Sequence, residues 1–410
     1  MARQMLPSLL ILPPPPSPAT AAAIKEAYRP PLTGALATLK STPSSDAAVL
    51  EVVLPCPGIV DRLGQARSLV FGELENLLAK IYSLVCIICG NKSINPGGPD
   101  GVDVRIILLA YHSDEPLSRD DELPALQTVS GPIIDFPTLA LTRRRWQYIF
   151  QVEGEAGLEF YARYLDIVKR TSPPVHGQNR LVRGGISMFS SAPRTTSLSD
   201  QGSVRHSVVA VGGTFDHMHA GHKLLLTATA LLLQPTSPAD TRPRRLIVGI
   251  TGDELLKNKK YAEYLQSWKE RQDAVVAFLL SILSFTRLRT GEDEVETESL
   301  NEPVANGKAI HTRLRQSAIT IECVEIQDPF GPTITDESVS ALVVSGESRA
   351  GGAAVNQKRE ERSWLPLRVF EVDVLDAEEE DDGATPRKEG FDSKISSTAI
   401  RKRIAEEKGV

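Results

Sequence analysis

Beyond residue 206 short apolar runs alternate with longer amphipathic ones: SVVAVGG before HKLLLTATALLL, RRLIVGIT before KERQDAVVAFLLSILSF, then AITIECVEIQ, then SALVVSG before AAVNQKREERSW, and LRVFEVDVL before SSTAIRKRIAEEK. The short runs, rich in Val and Ile, read as buried strands, and the runs with apolar residues at helical spacing read as helices. Five such strands separated by crossover segments predict a five-stranded parallel, Rossmann-like sheet with right-handed connections. Helices then cover both faces, and a ligand belongs at the carboxyl ends of the strands.

The first half repeats this grammar more briefly. VLEVVLPCP is strand-like, RLGQARSLVFGELENLLAKIYSLV helix-like and VDVRIILLAYH strand-like again, which predicts a smaller α/β domain over residues 47–170. Before it, MLPSLLILPPPPSP is a short apolar run closed by a proline block, so residues 1–46 read as a disordered Pro-rich tail. Residues 171–205, with GGISMFSSAPRTTSLSDQGS, lack apolar periodicity and read as an unfolded linker. A core of residues 206–410 would then suffice to fold alone, starting near Gly202; the alternative is that VLEVVLPCP and the long apolar helix after it cover the edge of that core's sheet. QPTSPADTRPR, RTGEDEVETESLNEPVANG and DAEEEDDGATPRKEG interrupt the pattern and read as surface insertions.

Composition narrows the class. The 410 residues are 41% hydrophobic and 24% charged, with a formal net charge of −6, so a soluble cytoplasmic protein is expected and a general nucleic-acid binder is disfavoured. No apolar run approaches the roughly 20 residues of a membrane span. The four cysteines, Cys56, Cys86, Cys89 and Cys323, are too scattered for a disulfide scaffold. CIIC has redox or zinc spacing but sits in an apolar helix-like run, the setting of core cysteines. NPGGPDG lacks phosphate-loop spacing and reads as a turn, and TRRRW reads as a solvated basic face. Nothing in the first half names a function.

The chemistry is concentrated at residues 208–233, VVAVGGTFDHMHAGHKLLLTATALLL, which hold His217, His219 and His222, three of only seven histidines. A buried strand, a glycine turn and a helix start follow one another here. Gly212 and Gly213 let a phosphate approach the backbone, and the helix N-terminus offers unpaired N–H groups and the positive end of its dipole. His219 and His222, three apart, share one face of the first turn, with no side chain at Gly221 to block them.

GTFDHMHAGH resembles the T/HxGH signature of the nucleotidyltransferase superfamily, and ISSTAIR resembles its ISSTxxR element. More narrowly, GGTFDHMHAGHKLLL, GITGDELLKNKKYAEYLQSWKER and LVVSGESRAGGAAVNQKR resemble phosphopantetheine adenylyltransferases of the eukaryotic type, over about Val208 to Lys408. The resemblance implies attack by the phosphate of 4′-phosphopantetheine on the α-phosphorus of ATP, which arrives with Mg2+, giving dephospho-coenzyme A and pyrophosphate. It implies no metal bound by the protein itself. Thr214, His219 and His222 would be catalytic, with Thr214 orienting the acceptor. The ATP set would be Gly213, Thr214, Phe215, His219, His222, Arg349, Ser396, Ser397, Thr398 and Arg401. Thr214 with Lys257, Lys259 or Lys260 would hold the phosphopantetheine phosphate, which of the three being open. Lys223 stands either beside the phosphates or toward solvent, and Arg401 either grips pyrophosphate or lies on a helix surface.

His217 occupies a position where the superfamily commonly has proline, and SGESRAGG carries one arginine where bacterial relatives have a pair. Two alternatives stay in view: a cytidylyltransferase acting on a phosphorylated small alcohol, or a silent nucleotide-binding regulatory subunit. ISSTAIR differs from the RTxGxST pattern of the first, and the complete motif set argues against the second. No GxxxxGK[ST] stretch occurs, so a separate dephospho-coenzyme A kinase is expected among partner enzymes of coenzyme A synthesis.

Overall fold

The computed structural model describes residues 6–42, 47–95, 101–111, 131–142, 144–169, 177–186, 204–237, 240–285, 295–304, 307–315, 317–375, 396–407 and 409, with backbone alone at 301–304 and 307. In chain order the elements are β1 (Ser8–Ile11), α1 (Ala21–Lys40), β2 (Ala48–Pro57), α2 (Phe71–Lys92), β3 (Val102–Tyr111), β4 (Ile133–Ile134), α3 (Phe136–Leu141), β5 (Tyr148–Val152), α4 (Glu155–Lys169) and β6 (Gln178–Val182). They continue as β7 (Val208–Gly213), α5 (Ala220–Leu232), β8 (Arg244–Thr251), α6 (Trp268–Leu283), β9 (Val295–Val304), β10 (Gly307–Leu314), β11 (Ile319–Ile326), β12 (Ala341–Ser345), α7 (Arg349–Glu361), β13 (Arg368–Val372) and α8 (Ser397–Glu407). Contacts divide the chain into two units. The first holds residues 1–65, 80–202 and 281–292, the second 66–79, 203–280 and 293–410.

The first unit is built on six parallel strands in the order β4-β3-β2-β1-β5-β6. Its central strand, β1, and the following α1 lie in the stretch expected to be a disordered tail. That expectation is corrected: all four residues of β1 are buried, and Ile24, Ala27, Tyr28, Leu32, Ala35, Leu36 and Leu39 pack one face of α1. Thr20 caps α1 by accepting the Ala23 N–H at 3.2 Å, and the Tyr28 hydroxyl donates to Pro13 O at 2.8 Å, so the proline block is tethered. Part of the expected linker is likewise ordered, as β6. Arg144, read as part of a solvated basic face, instead donates to Glu51 at 2.6 Å and to the carbonyls of Ser281 and Ser284 at 2.5 and 2.7 Å. Cys86 and Cys89 lie on α2, and Cys56, Cys89 and Cys323 are buried thiols.

The second unit has seven strands rather than five, ordered β13-β12-β7-β8-β11-β10-β9. β13, β12, β7, β8 and β11 are mutually parallel, and the β9–β10 hairpin adds two antiparallel strands. The stretch 289–307, read as a surface insertion, carries the largely exposed strand β9 over its described part; residues 376–390 lie outside the described residues. The second unit also takes in residues 66–79, which the expected domain boundary assigned to the other half.

The loops at the end of this sheet are tied by buried arginines. Arg359, 1% exposed, donates to the carbonyls of Leu365, Thr333, Asp336, Glu337 and Val339, and burial lowers its pKa. Removing the fork orphans several buried acceptors, each worth about 1–3 kcal/mol when unsatisfied. Arg359→Met is therefore expected to destabilise the second unit by roughly 3 kcal/mol or more in denaturant unfolding. A loss under about 1 kcal/mol would show that water replaces these contacts.

Candidate active site

β7 delivers its last glycines to the carboxyl edge of the sheet, between β12 and β8. The left-handed residues of the turn are not glycines: Phe215 and His217 have φ of 52° and 47°, a conformation that costs a non-glycine residue energy unless the surroundings impose it. The surroundings do so. The Phe215 ring is fully buried and lies 5.4 Å from the His222 ring, while a Cβ at Gly213 would lie 3.0 Å from Phe215 Cε2 and press on that ring. The His217 N–H donates to Gln266 Oε1 at 2.7 Å, and its Nε2–H to Tyr264 O at 2.8 Å. His217 thus does more than stand in for a turn-forming proline.

Between them sits Asp216, fully buried. Oδ1 accepts from the Gln266 N–H at 3.0 Å, Oδ2 from Arg401 Nη1 at 2.5 Å, and its carbonyl from Ser397 Oγ at 2.7 Å. This clamp brings the start of α8 against the β7–α5 turn. Arg401 also donates to Lys260 O at 3.1 Å and Thr398 Oγ1 at 3.2 Å; although it borders the cavity, its guanidinium is occupied in holding α8. From the other side Arg271, fully buried, donates to Thr214 O at 2.7 Å and Asp253 Oδ1 at 2.6 Å. Asp216 and Arg271 were missed in the sequence reading. The signal for Asp216 was its place inside the motif.

His219 is the N-cap residue of α5, and its ring stacks on that of His222 at 3.8 Å and 22°. Gly221 leaves room for the stack: a Cβ there would lie 3.3 Å from His219 Cε1. Burial, then Lys223 and His217, push the His219 pKa down to about 3. Burial and then His219 push His222 well below its ordinary value. Both imidazoles are therefore neutral at physiological pH, each a single N–H donor. His219 Nε2 is 3.5 Å from Ser397 Oγ, and neither Nδ1 has a hydrogen-bond partner among the described residues.

These groups open onto a cavity of about 730 Å³ that Gly213, Thr214, His219, His222, Ser396, Ser397, Thr398 and Arg401 all border. Ser396 Oγ caps α8 by accepting the Ala399 N–H at 3.2 Å. Of the three lysines only Lys259 borders the cavity: Lys257 pairs with Glu254, and the Lys260 carbonyl binds Arg401. Phe215 lies beneath the lining. Arg349 is 74% exposed, bound in a fork to Glu371 at 2.6 and 2.7 Å, and does not border the cavity. Lys223 is 4% exposed, so its solvent-facing alternative is excluded. Among the described residues no cluster of His, Cys, Asp and Glu could hold a metal ion, and no helix is long and apolar enough to cross a membrane.

A parallel sheet whose first helix presents two stacked histidines to a serine-rich final helix defines a nucleotidyltransferase-type domain, and a cytidylyltransferase-like family matches residues 210–403. A phosphopantetheine adenylyltransferase of Thermococcus gammatolerans is 30% identical over 193 residues, covering 47% of this chain and 86% of that one. The chain belongs to the phosphopantetheine adenylyltransferase family of the nucleotidyltransferase superfamily. A phosphopantetheine adenylyltransferase of Saccharomyces cerevisiae is 33% identical over 195 residues, 48% of each chain. An uncharacterized protein of Schizosaccharomyces pombe is 34% identical over 214 residues, 52% of this chain and 53% of that one. The chain thus spans about half the length of these two yeast relatives. Residues 1–188 match a domain family of unknown function.

Two outcomes follow from the clamp and the histidines. Asp216→Asn leaves the buried Arg401 without its counter-charge and is expected to cost about 3–5 kcal/mol, read by denaturant unfolding; a change within experimental error would mean that the pair is not buried in solution. With its folded pKa near 3 and an unfolded one near 6.5, His219 binds a proton more readily when unfolded. Its contribution is complete above about pH 6.5 and is lost as pH falls toward 3. By pH 5 that amounts to on the order of 2 kcal/mol, so the thermal midpoint should drop between pH 7 and 5, less steeply in His219→Gln. A flat midpoint would contradict neutral burial.

Proposed function

We propose that this chain, of the eukaryotic type within its family, transfers the adenylyl group of ATP to 4′-phosphopantetheine, giving dephospho-coenzyme A and pyrophosphate. The observation that carries the reading is the pair of stacked neutral histidines facing the hydroxyl-rich N-terminus of α8 across one cavity. Its volume suits two extended small ligands sharing a site.

A phosphate oxygen of the acceptor attacks the α-phosphorus of ATP in line, the bond to the bridging oxygen breaks, and pyrophosphate leaves with the electron pair. No proton need be removed, because the nucleophile is already an anion. The protein's work is alignment and stabilisation of charge spreading over the transferring group. His219 and His222, as fixed neutral donors, stabilise the α-phosphate oxygens without a protonation equilibrium of their own near neutral pH. Thr214, held through its carbonyl by Arg271, orients the acceptor phosphate. Gly213 and the Phe215 backbone shape the turn against the phosphates. Ser396 and Thr398 hold the β- and γ-phosphates with their hydroxyls, and Ser397, whose hydroxyl proton is given to the Asp216 carbonyl, adds its helix N–H. Mg2+ comes with ATP and offsets phosphate charge. Arg401 serves through α8, and Arg349 takes part only on leaving Glu371. Lys259 is the lysine assigned to the acceptor phosphate.

Purified protein given Mg–ATP and 4′-phosphopantetheine should release pyrophosphate and dephospho-coenzyme A together, and CTP should not replace ATP. Turnover with CTP and a phosphorylated alcohol would move the chain to the cytidylyltransferases. His222→Ala is expected to lower kcat by about 10²-fold with little change in KM for ATP; unchanged turnover would remove it from the mechanism. Lys259→Ala should raise KM for 4′-phosphopantetheine by about tenfold while sparing that for ATP, and Lys257→Ala should do neither. The reverse ranking would displace Lys259.

A further inference from the structure

Residues 66–79 lie far from every catalytic motif in sequence, yet they are built into the second unit. The Arg67 N–H donates to Gln234 Oε1 at 3.1 Å, just past the end of α5. Ser68 Oγ donates to Val204 O at 3.4 Å. The Phe71 ring meets that of Phe370, on β13, at 5.0 Å. Finally Glu75 Oε1 accepts the Asp373 N–H at 3.0 Å. Glu75 is 6% exposed, and a buried carboxylate is costly unless it is hydrogen-bonded, so the Asp373 N–H and Glu75 hold one another in place.

Asp373 and Val374 follow β13 and border the cavity, beside Glu347 and Ser348, which follow β12. The two segments are packed together: a Cβ at Gly346 would come within 3.3 Å of Val374 Cγ2. Among the described residues β13 is the edge strand of its sheet, and just past its end the Asp373 N–H is held by Glu75. β12 and β13 lie on one side of β7, whereas β8, whose following loop carries Lys259, lies on the other. If the acceptor phosphate sits with Lys259, the nucleoside end of ATP is left with the β12–β13 side.

We infer that Glu75 is a positioning residue for ATP: by accepting the Asp373 N–H it fixes the edge-strand wall of the nucleotide side of the cavity, making residues 66–79 a working part of the catalytic unit. This rests on the adenylyl-transfer reading. It also departs from the expectation that a chain beginning near Gly202 is self-sufficient.

In the full-length protein Glu75→Ala should raise KM for ATP, and the ATP dissociation constant from calorimetry, by about tenfold, the equivalent of one lost hydrogen bond. KM for 4′-phosphopantetheine and kcat should stay within about twofold, as for a change confined to one substrate's binding. Glu75→Gln keeps the acceptor oxygen and should restore the wild-type values. Equal losses on both substrates, loss of kcat in step with a fallen thermal midpoint, no effect of Glu75→Ala, or a Glu75→Gln as impaired as Glu75→Ala would each overturn the assignment. A wild-type protein that binds ATP but does not adenylylate 4′-phosphopantetheine would defeat the functional reading alone, and Glu75 would then be judged on the ATP dissociation constants. No ATP binding by the wild type would defeat both.

Discussion

The ion pair between Asp216 and Arg401 is the constraint on which the site depends. Its partners come from opposite ends of the catalytic unit's sequence, and the side chains are 0% and 2% exposed. A pair so placed gains little net stability over an apolar contact, but loss of either partner leaves a bare charge inside the protein. Its effect is thus on specificity of arrangement: it forces the last helix to begin beside the first turn. With Ser397 donating to the Asp216 carbonyl, the hydroxyls of α8 and the imidazoles of α5 are fixed within one cavity. The two left-handed residues flanking Asp216 are the conformational cost of presenting its carboxylate inward and the histidines outward.

A second consequence concerns charge. The proposed transfer between two anions would suit a cationic site, yet the cavity is bordered by two neutral histidines and the N-terminus of α8 as well as by Lys259 and Arg401. Burial keeps the imidazoles uncharged, and Lys223 beside His219 reinforces that state. Donors whose protonation does not vary near neutral pH can be aimed at developing charge without reorganisation. The two guanidiniums that a sequence reading assigns to phosphates are used elsewhere, Arg401 on Asp216 and Arg349 on Glu371.

The parallel strands, the glycine turn and the two motif halves were legible in the sequence because they are local: strand period, glycine placement and histidine spacing lie within a few residues. What was not legible depends on distant partners. Whether Arg401 faces phosphate or carboxylate is decided by Asp216, and which lysine borders the cavity is decided by the turns that send Lys257 to Glu254 and the Lys260 carbonyl to Arg401. β9 was read as an insertion because an exposed, charged hairpin strand has no apolar face to betray it. The misreading of residues 1–46 was avoidable: behind the proline block, Ile24, Ala27, Tyr28, Leu32, Ala35, Leu36 and Leu39 already mark one helical face, and two prolines inside α1 masked it. That the long apolar helix after β2 could cover an edge of the second sheet was open in the sequence, but which residues do so was not: Phe71 against Phe370 and Glu75 on the Asp373 N–H are decided by partners far along the chain.

In the proposed reaction buried neutral histidines align a single direct transfer between two anions and never bond to phosphorus. The stereochemical course at the α-phosphorus measures this directly, using one diastereomer of ATP with a sulfur at the α-phosphate and 4′-phosphopantetheine as acceptor. Direct in-line displacement yields dephospho-coenzyme A analogue with inverted configuration at phosphorus, which is the predicted result. Retention would reveal two displacements through an adenylylated side chain and would contradict the account.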